Sequence, residues 1–257
     1  MHIIIPARYA STRLPGKPLA DVAGKPLIQR VYECALKCDA TGVTIATDDD
    51  RIRTAAERFG AAVCMTSGAH RSGTDRLAEV IEKLTLGAGE IVVNLQGDEP
   101  LMPADLVRAV AEMLAQHPDA MVATACHAID DLDALTNPNV VKVVRDEQGY
   151  ALYFSRAAIP WPREVMAGQG TAPLRAFRHI GLYAYRAGFV RRYAAWPVCP
   201  LEEAEQLEQL RVLWHGERIV VHEAVVMPEA GVDTPEDLDR VQKIFCKQAG
   251  LTGSKQD

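Results

Sequence analysis

The sequence predicts an α/β fold: a mostly parallel, mixed central sheet flanked by helices and interrupted by an inserted subdomain. Two observations carry that expectation. Over the first half, short apolar runs alternate with segments of helical period, and from about residue 129 the rhythm changes to hairpin-like strands before sheet character returns near the C-terminus. A composition of 48% hydrophobic and 24% charged residues over 257 positions is that of a chain that buries a large core.

In order, Ile3 to Ile5, Val43 to Ala46, Ala61 to Met65, Ile91 to Leu95 and Met121 to Ala125 read as buried strands. Between them Pro26 to Lys37, Asp50 to Phe59, Thr74 to Lys83 and Pro103 to Ala115 carry helical spacing with start signals. Strands joined through helices run parallel, because the helix supplies the crossover. Val140 to Arg145 and Tyr150 to Ser155 then flank Asp146 to Gly149, whose residues suit a hairpin. A strand over Ile180 to Tyr185 precedes a helix from about Glu202 to His215, with apolar residues at 204, 207, 210, 213 and 214. Ile219 to His222 and Val225 to Met227 return to strand character, and Asp233 to Pro235 opens a final helix with Pro235 early in its first turn. Residues 1–128 are thus expected to form the sheet core, 129–214 an insertion, 215–250 the return to the core, and 251–257 a polar, frayed tail.

A formal net charge of −6 gives no general attraction to nucleic acid or anionic membranes, so neither is expected as a partner and any anion site must be local. No stretch approaches the length of a membrane span, and Met1 to Arg8 carry no basic leader followed by an apolar run, which predicts a cytoplasmic protein. The cysteines, scattered without CxxC pairs or a Cys/His knuckle, read as buried thiols rather than zinc ligands.

Ligands of such sheets bind beyond the carboxyl ends of the strands, which directs attention to the loops after Ile5, Ala46 and Leu95. The first, ARYASTRLPGKPL, holds Arg8, Arg13 and Lys17 among turn formers. It reads as an anion cradle suited to a triphosphate, since one unit-charge pair near 4 Å is worth about 4 kcal/mol at an effective dielectric of about 20. A solvated basic loop is the alternative. It is not a Walker A motif, because Pro18 follows Lys17, and it is not GxGxxG. Gln96 to Pro100 place Asp98 just past a buried strand, where a carboxylate suits Mg²⁺ or a helix cap. Asp233 is open to two readings, a turn or cap residue, or a second carboxylate that meets Asp98 and calls for a cation. Ser72, Gly73 and Arg76 belong to a segment that reads equally as an ordinary helix start with Asp75 on the dipole. Arg156, His179, Tyr183, Glu208 and Gln209 fall in the insertion, where a second substrate is expected. Strand spacing sets His179, Gly181, Tyr183 and Tyr185 on one face as a polar floor suited to a carbohydrate. Trp161 and Trp196, each before a proline, read as packing or interface residues.

Together, IIPARYASTRLPGKPL, SGTDRLAE, VNLQGDEP, GYALYFSRAAIPW, RHIGLYAYR, LEQLRVLW and GVDTPEDL resemble the 3-deoxy-manno-octulosonate cytidylyltransferase (CMP-Kdo synthetase) family over roughly residues 2–245. The last four segments separate the resemblance from other sugar nucleotidyltransferases; residues 163–175 match none of them. The resemblance implies a Rossmann-like nucleotidyltransferase fold and the reaction of CTP with Kdo to give CMP-Kdo and pyrophosphate, on the route to lipopolysaccharide. It implies that Arg8, Arg13 and Lys17 bind the triphosphate, with Arg13, Lys17 and Asp98 acting in catalysis. Ser72, Gly73 and Arg76 would hold the nucleotide, Gln96 would lie between nucleotide and sugar, and Asp98 and Asp233 would hold Mg²⁺. Arg156, His179, Tyr183, Glu208 and Gln209 would bind Kdo, and the insertion would build much of a homodimer interface. A cytidylyltransferase for another sugar acid, such as a sialic acid, and a non-catalytic nucleotide sensor are the competing readings.

Overall fold

The computed structural model describes residues 1–10, 14–70, 72–169 and 174–248. Strand β1 (His2–Ala7) is followed by two short strands, β2 (Asp21–Val22) and β3 (Lys25–Pro26), and by helix α1 (Leu27–Ala35). Next come β4 (Gly42–Thr47), α2 (Asp50–Arg58), β5 (Ala62–Met65), α3 (Gly73–Lys83), β6 (Ile91–Asn94), α4 (Ala104–Gln116), β7 (Val122–Ile129) and α5 (Leu132–Thr136). The hairpin β8 (Lys142–Arg145) and β9 (Ala151–Ser155) leads to α6 (Arg163–Met166), β10 (Ala176–Arg186), α7 (Ala187–Ala194), α8 (Pro200–Glu205) and α9 (Gln209–Trp214). β11 (Ile219–Glu223) and α10 (Pro235–Gln248) complete the described chain.

Local chemistry explains the starts. Asp49 caps α2 by accepting from the Arg51 N–H, and Ser72 and Asp75 form a reciprocal capping box at α3. Each satisfies backbone donors that a helix leaves open at its first turn. The predicted helix over about 202–215 is two short helices, because Gln206 adopts the left-handed conformation (φ 53°) that ends α8. Val225 to Met227 form no strand: Val225 and Val226 stand exposed in the loop after β11.

The chain divides into two compact units. One comprises Met1–Leu86, Asn94–Val107 and the segment from Pro228. Its β1, β4 and β5 are parallel, with Ile5 opposite Ile45 and Ala46 opposite Cys64. Ile3, Ile4 and Ile5 are fully buried. Beyond them the Leu95 N–H donates to the Ile4 carbonyl at 3.1 Å, which brings the chain after β6 beside β1. Val22, Leu27, Val232 and Val241 form a second core that ties α10 to the turn after residue 17.

The other unit, Gly87–Val93 with Arg108–Met227, contains strands in the order β11-β7-β10-β6. β11 is parallel to β7, whereas β10 is antiparallel to β7 and also carries the β8–β9 hairpin. The two compact units and the expected domains are cut at different places. β7 and β11 go with the later strands rather than the sheet core, because β10 pairs with β7 along most of its length and β7 pairs with β11.

Candidate active site

Gly16, with φ +70°, turns the chain into a single 3-10 turn at Lys17–Leu19 and aims Lys17 back past the end of β1. The Lys17 ammonium donates to Asp98 Oδ2 at 2.7 Å, to the Val232 carbonyl at 2.9 Å and to Asp233 Oδ1 at 3.1 Å. Burial pulls its pKa down, but the two carboxylates outweigh burial and hold it above the ordinary value.

The two acidic loops are tied to each other, since the Val232 N–H donates to the Asp98 carbonyl at 2.8 Å. Two glycines permit the approach. A Cβ on Gly231 would lie 3.0 Å from that same carbonyl, and one on Gly97 would lie 2.6 Å from the Pro6 carbonyl at the end of β1. The cap reading of Asp233 is settled by its neighbour: Thr234 accepts from the Asp237 N–H and caps α10, while Asp233 turns to Lys17. Beside these groups burial first, then Asp98 and Asp233, push Glu99 up to about 7.

Arg8, Lys17, Gly73, Gln96, Asp98 and Asp233 line one cavity of about 420 Å³ within this unit, so the residues expected at the triphosphate and the metal share a space. Arg8 is anchored by its Nη2, which donates to the His70 and Ser72 carbonyls at 2.8 and 3.1 Å. Ser72 spends its hydroxyl on the capping box, leaving its neighbour Gly73 to face the cavity. Arg76 does not line it. The residue is fully buried and pairs with Asp48 at 3.0 Å and with the Thr66 hydroxyl. Arg13 lies outside the described residues.

The residues expected at the sugar acid lie in the other unit. Thr124 donates its one hydroxyl proton to the Leu182 carbonyl at 2.8 Å and therefore accepts from His179 Nε2 at 2.9 Å. This leaves Nδ1 of His179 as an acceptor. The imidazole packs against Phe154 (ring centroids 5.1 Å) and Tyr183 (5.4 Å), and burial lowers its pKa to about 3, so it is neutral. Tyr183 is buried and stacks on Tyr185, and burial raises its pKa well above the ordinary value. Gln209 is buried with its Nε2 lacking a hydrogen-bond partner. Glu208 precedes it at the start of α9, and its carbonyl accepts from the Tyr193 hydroxyl at 3.0 Å. Arg156 is anchored by Nε on the Glu205 carbonyl (2.8 Å) and by Nη1 on the Pro138 carbonyl (3.1 Å). Asp48, Lys142 and Glu205, which hold Arg76 and Arg156, carry no signal in the sequence, because their partners are distant in the chain and only folding brings the pairs together.

The donor chemistry fits Mg²⁺. Asp98 and Asp233 both reach one cation, the Lys17 ammonium, and Mg²⁺ takes one or two protein carboxylates with phosphate and water oxygens making up the rest. Among the described residues no group of three or more His, Cys, Asp or Glu gathers to form an all-protein metal cage.

A family model described as cytidylyltransferase matches residues 2–219. A 3-deoxy-manno-octulosonate cytidylyltransferase of Vibrio parahaemolyticus is 56% identical over 96% of this chain and 98% of its own. One from Aliivibrio fischeri is 58% identical over 95% and 98%. The chain belongs to the 3-deoxy-manno-octulosonate cytidylyltransferase family. A solved structure of a CMP:2-keto-3-deoxy-manno-octonic acid synthetase complexed with CTP superposes with a TM-score of 0.87 at 44% identity, covering 96% of this chain and 98% of that one. A glucose-1-phosphate thymidylyltransferase of Bacillus anthracis shares the fold alone, at a TM-score of 0.63 and 15% identity over 94% of both chains. The α/β fold expected from the alternation of strands and helices, and the nucleotidyltransferase class that the resemblance implies, are therefore those of this cytidylyltransferase family.

Proposed function

We propose that the chain transfers the cytidylyl group of CTP to Kdo, giving CMP-Kdo and pyrophosphate for lipopolysaccharide synthesis. The observation that carries this reading is the meeting of Lys17, Asp98 and Asp233 in a cavity shared with Arg8 and Gln96, in a member of this family.

The oxygen of the Kdo anomeric hydroxyl attacks the α-phosphorus of CTP. The new P–O bond forms as the bond to the pyrophosphate oxygen breaks, and the hydroxyl proton passes to water. Arg8 and Lys17, with Arg13, hold the triphosphate, and Lys17 donates to phosphate oxygens once these replace its carboxylate partners, offsetting charge on the leaving group. Gly73 leaves the backbone open for close approach of the nucleotide, and Ser72 and Arg76 act by holding the start of α3. Asp98 and Asp233 would hold Mg²⁺, which polarises the α-phosphate and makes the attacking hydroxyl more acidic. In the sugar-acid site Arg156, anchored through Nε and Nη1, meets the carboxylate with Nη2. Neutral His179 accepts a sugar hydroxyl at Nδ1, the unpartnered Gln209 amide and Tyr183 donate, and Glu208 accepts.

The chain works as a cytoplasmic homodimer in this reading. No described helix is long and apolar enough to cross a membrane. The exposed Leu152, Trp161 and Trp214 support a subunit contact built from 129–214.

The test is pyrophosphate release from purified protein with CTP and Mg²⁺, comparing Kdo, a sialic acid and no acceptor, with ATP, GTP and UTP as nucleotide controls. Release with CTP and Kdo alone is expected. Release with the sialic acid would move the substrate to another sugar acid, and none with any acceptor would favour a nucleotide sensor.

A further inference from the structure

We propose that Lys142 and Glu205 are positioning residues for Arg156, setting its guanidinium where the sugar-acid carboxylate is received. The inference rests on the reading of Arg156 given above.

Lys142 begins β8 and is fully buried. Its ammonium gives all three protons to main-chain carbonyls, those of Asn137 at 2.9 Å, Val140 at 2.6 Å and Arg156 at 2.6 Å. An ammonium whose three hydrogen bonds all go to carbonyl dipoles is costly to bury, and an unbranched apolar side chain of similar length would fill the same space without that cost. Packing alone therefore does not account for a lysine here. Its three acceptors come from two places: the 137–140 loop, and the main chain of Arg156 at the end of β9.

Glu205, the last residue of α8, holds the same segment from its other groups. One carboxylate oxygen accepts from the Ser155 hydroxyl at 2.6 Å and the other from the Arg156 N–H at 2.9 Å, while its carbonyl accepts from Arg156 Nε at 2.8 Å. Arg156 Nη1 donates to the carbonyl of Pro138, which lies within the loop that Lys142 gathers. The N–H, the carbonyl, Nε and Nη1 of Arg156 are thus each held by Lys142, by Glu205, or by the loop that Lys142 fastens. A guanidinium fixed at so many points holds Nη2 in one orientation, which favours a charge-assisted bond to a carboxylate oxygen placed there.

A clip that merely stabilised the hairpin would lower thermal stability and disturb all kinetic constants together. Positioning instead makes a narrower claim, that the effect is on Kdo and passes through Arg156. The experiment measures pyrophosphate release while Kdo and CTP are varied separately, for Lys142→Met, Glu205→Ala, Glu205→Gln, Arg156→Ala and the double variant Lys142→Met/Arg156→Ala. Lys142→Met and Glu205→Ala are expected to raise the KM for Kdo about tenfold and change the KM for CTP less than about twofold. Glu205→Gln restores most of the loss, because its carbonyl still accepts from the Arg156 N–H and its amide reaches Ser155. In the double variant Lys142→Met adds less than about twofold to the effect of Arg156→Ala.

If Arg156→Ala raises the KM for Kdo but the two single effects multiply, Lys142 does not act through Arg156; the inference is overturned and the sugar-acid site stands. An Arg156→Ala variant with normal Kdo dependence overturns both the placement of that site and this inference. Should Lys142→Met fail to fold, the same cycle with Glu205→Ala and Arg156→Ala decides on the same criteria.

Discussion

A lysine that shares its ammonium between two carboxylates can be read either as a structural clip or as part of a reaction centre, and Asp98 separates the two. Asp98→Asn keeps the side-chain shape and leaves Lys17 bonded to Asp233 and to the Val232 carbonyl. Turnover with CTP and Kdo is expected to fall about 100-fold or more, with the melting temperature little changed. Near-normal turnover would remove Asp98 from catalysis. Gly97 makes a different claim, about space. A Cβ there would lie 2.6 Å from a main-chain oxygen, which has no flexible end to move aside, so Gly97→Ala should cost about 2 kcal/mol in a urea titration and lower activity as the loops part. A variant as stable as the parent would show that the loops have slack. At this scale Lys17 and Asp98 stand out in the sequence as charged residues in loops that follow buried strands, whereas the pattern alone leaves Asp233 open to a turn or cap reading and only the family resemblance points it at a cation. The partner of Arg76 does not stand out, since Asp48 is separated from it by 28 residues and nothing in either segment marks the pair.

Among elements, the start of α3 joins local stability to the cavity. The Ser72 hydroxyl accepts from the Asp75 N–H while the Asp75 carboxylate accepts from the Ser72 N–H, and the Ser72 carbonyl also accepts from Arg8. Ser72→Ala is expected to cost about 1 kcal/mol in chemical denaturation and to raise the KM for CTP, because the first turn that presents Gly73 loosens. Ser72→Thr, which keeps the hydroxyl, should restore the stability; failure to do so would show that the cap is not the cause. Such starts were visible in the sequence because Ser, Thr and Asp announce them. The break between α8 and α9 was hidden, since the left-handed residue is Gln206 rather than a glycine and the apolar spacing runs on through it. Val225 to Met227 is the opposite case: the apolar run predicts a strand, yet Val225 is 93% exposed, and hydrophobicity without a partner strand forms no sheet.

Across the whole molecule, alternation of strand and helix revealed the fold class, but the grouping of strands depends on pairings such as β10 with β7 that local pattern does not specify. Acid stability is likewise a property of the folded whole, because it compares each group in its final surroundings with the same group in the open chain. His179 has a folded pKa lowered by burial to about 3, against 6.5 in the unfolded chain. Between those values the unfolded state binds a proton that the folded state refuses, so this contribution is complete above pH 6.5 and is lost progressively as pH falls toward 3. His222, also lowered by burial, acts with the same sign. Glu79 enters later. Burial pushes it up, but Lys83, the Ser67 N–H and His70 outweigh burial and hold it at about 2, so its contribution persists above pH 4.5 and is lost between there and about pH 2. The windows overlap between pH 4.5 and 3, but only the histidines act above pH 5, so urea titrations at pH 7.5, 5.5 and 3.5 can tell them apart. Stability should fall already between pH 7.5 and 5.5, and His179→Gln should shrink both that step and the next, whereas Glu79→Gln should shrink only the step from pH 5.5 to 3.5. An unchanged first step in His179→Gln would mean that the imidazole carries its proton inside the fold, and the neutral acceptor assigned to Nδ1 in the sugar-acid site would be lost with it.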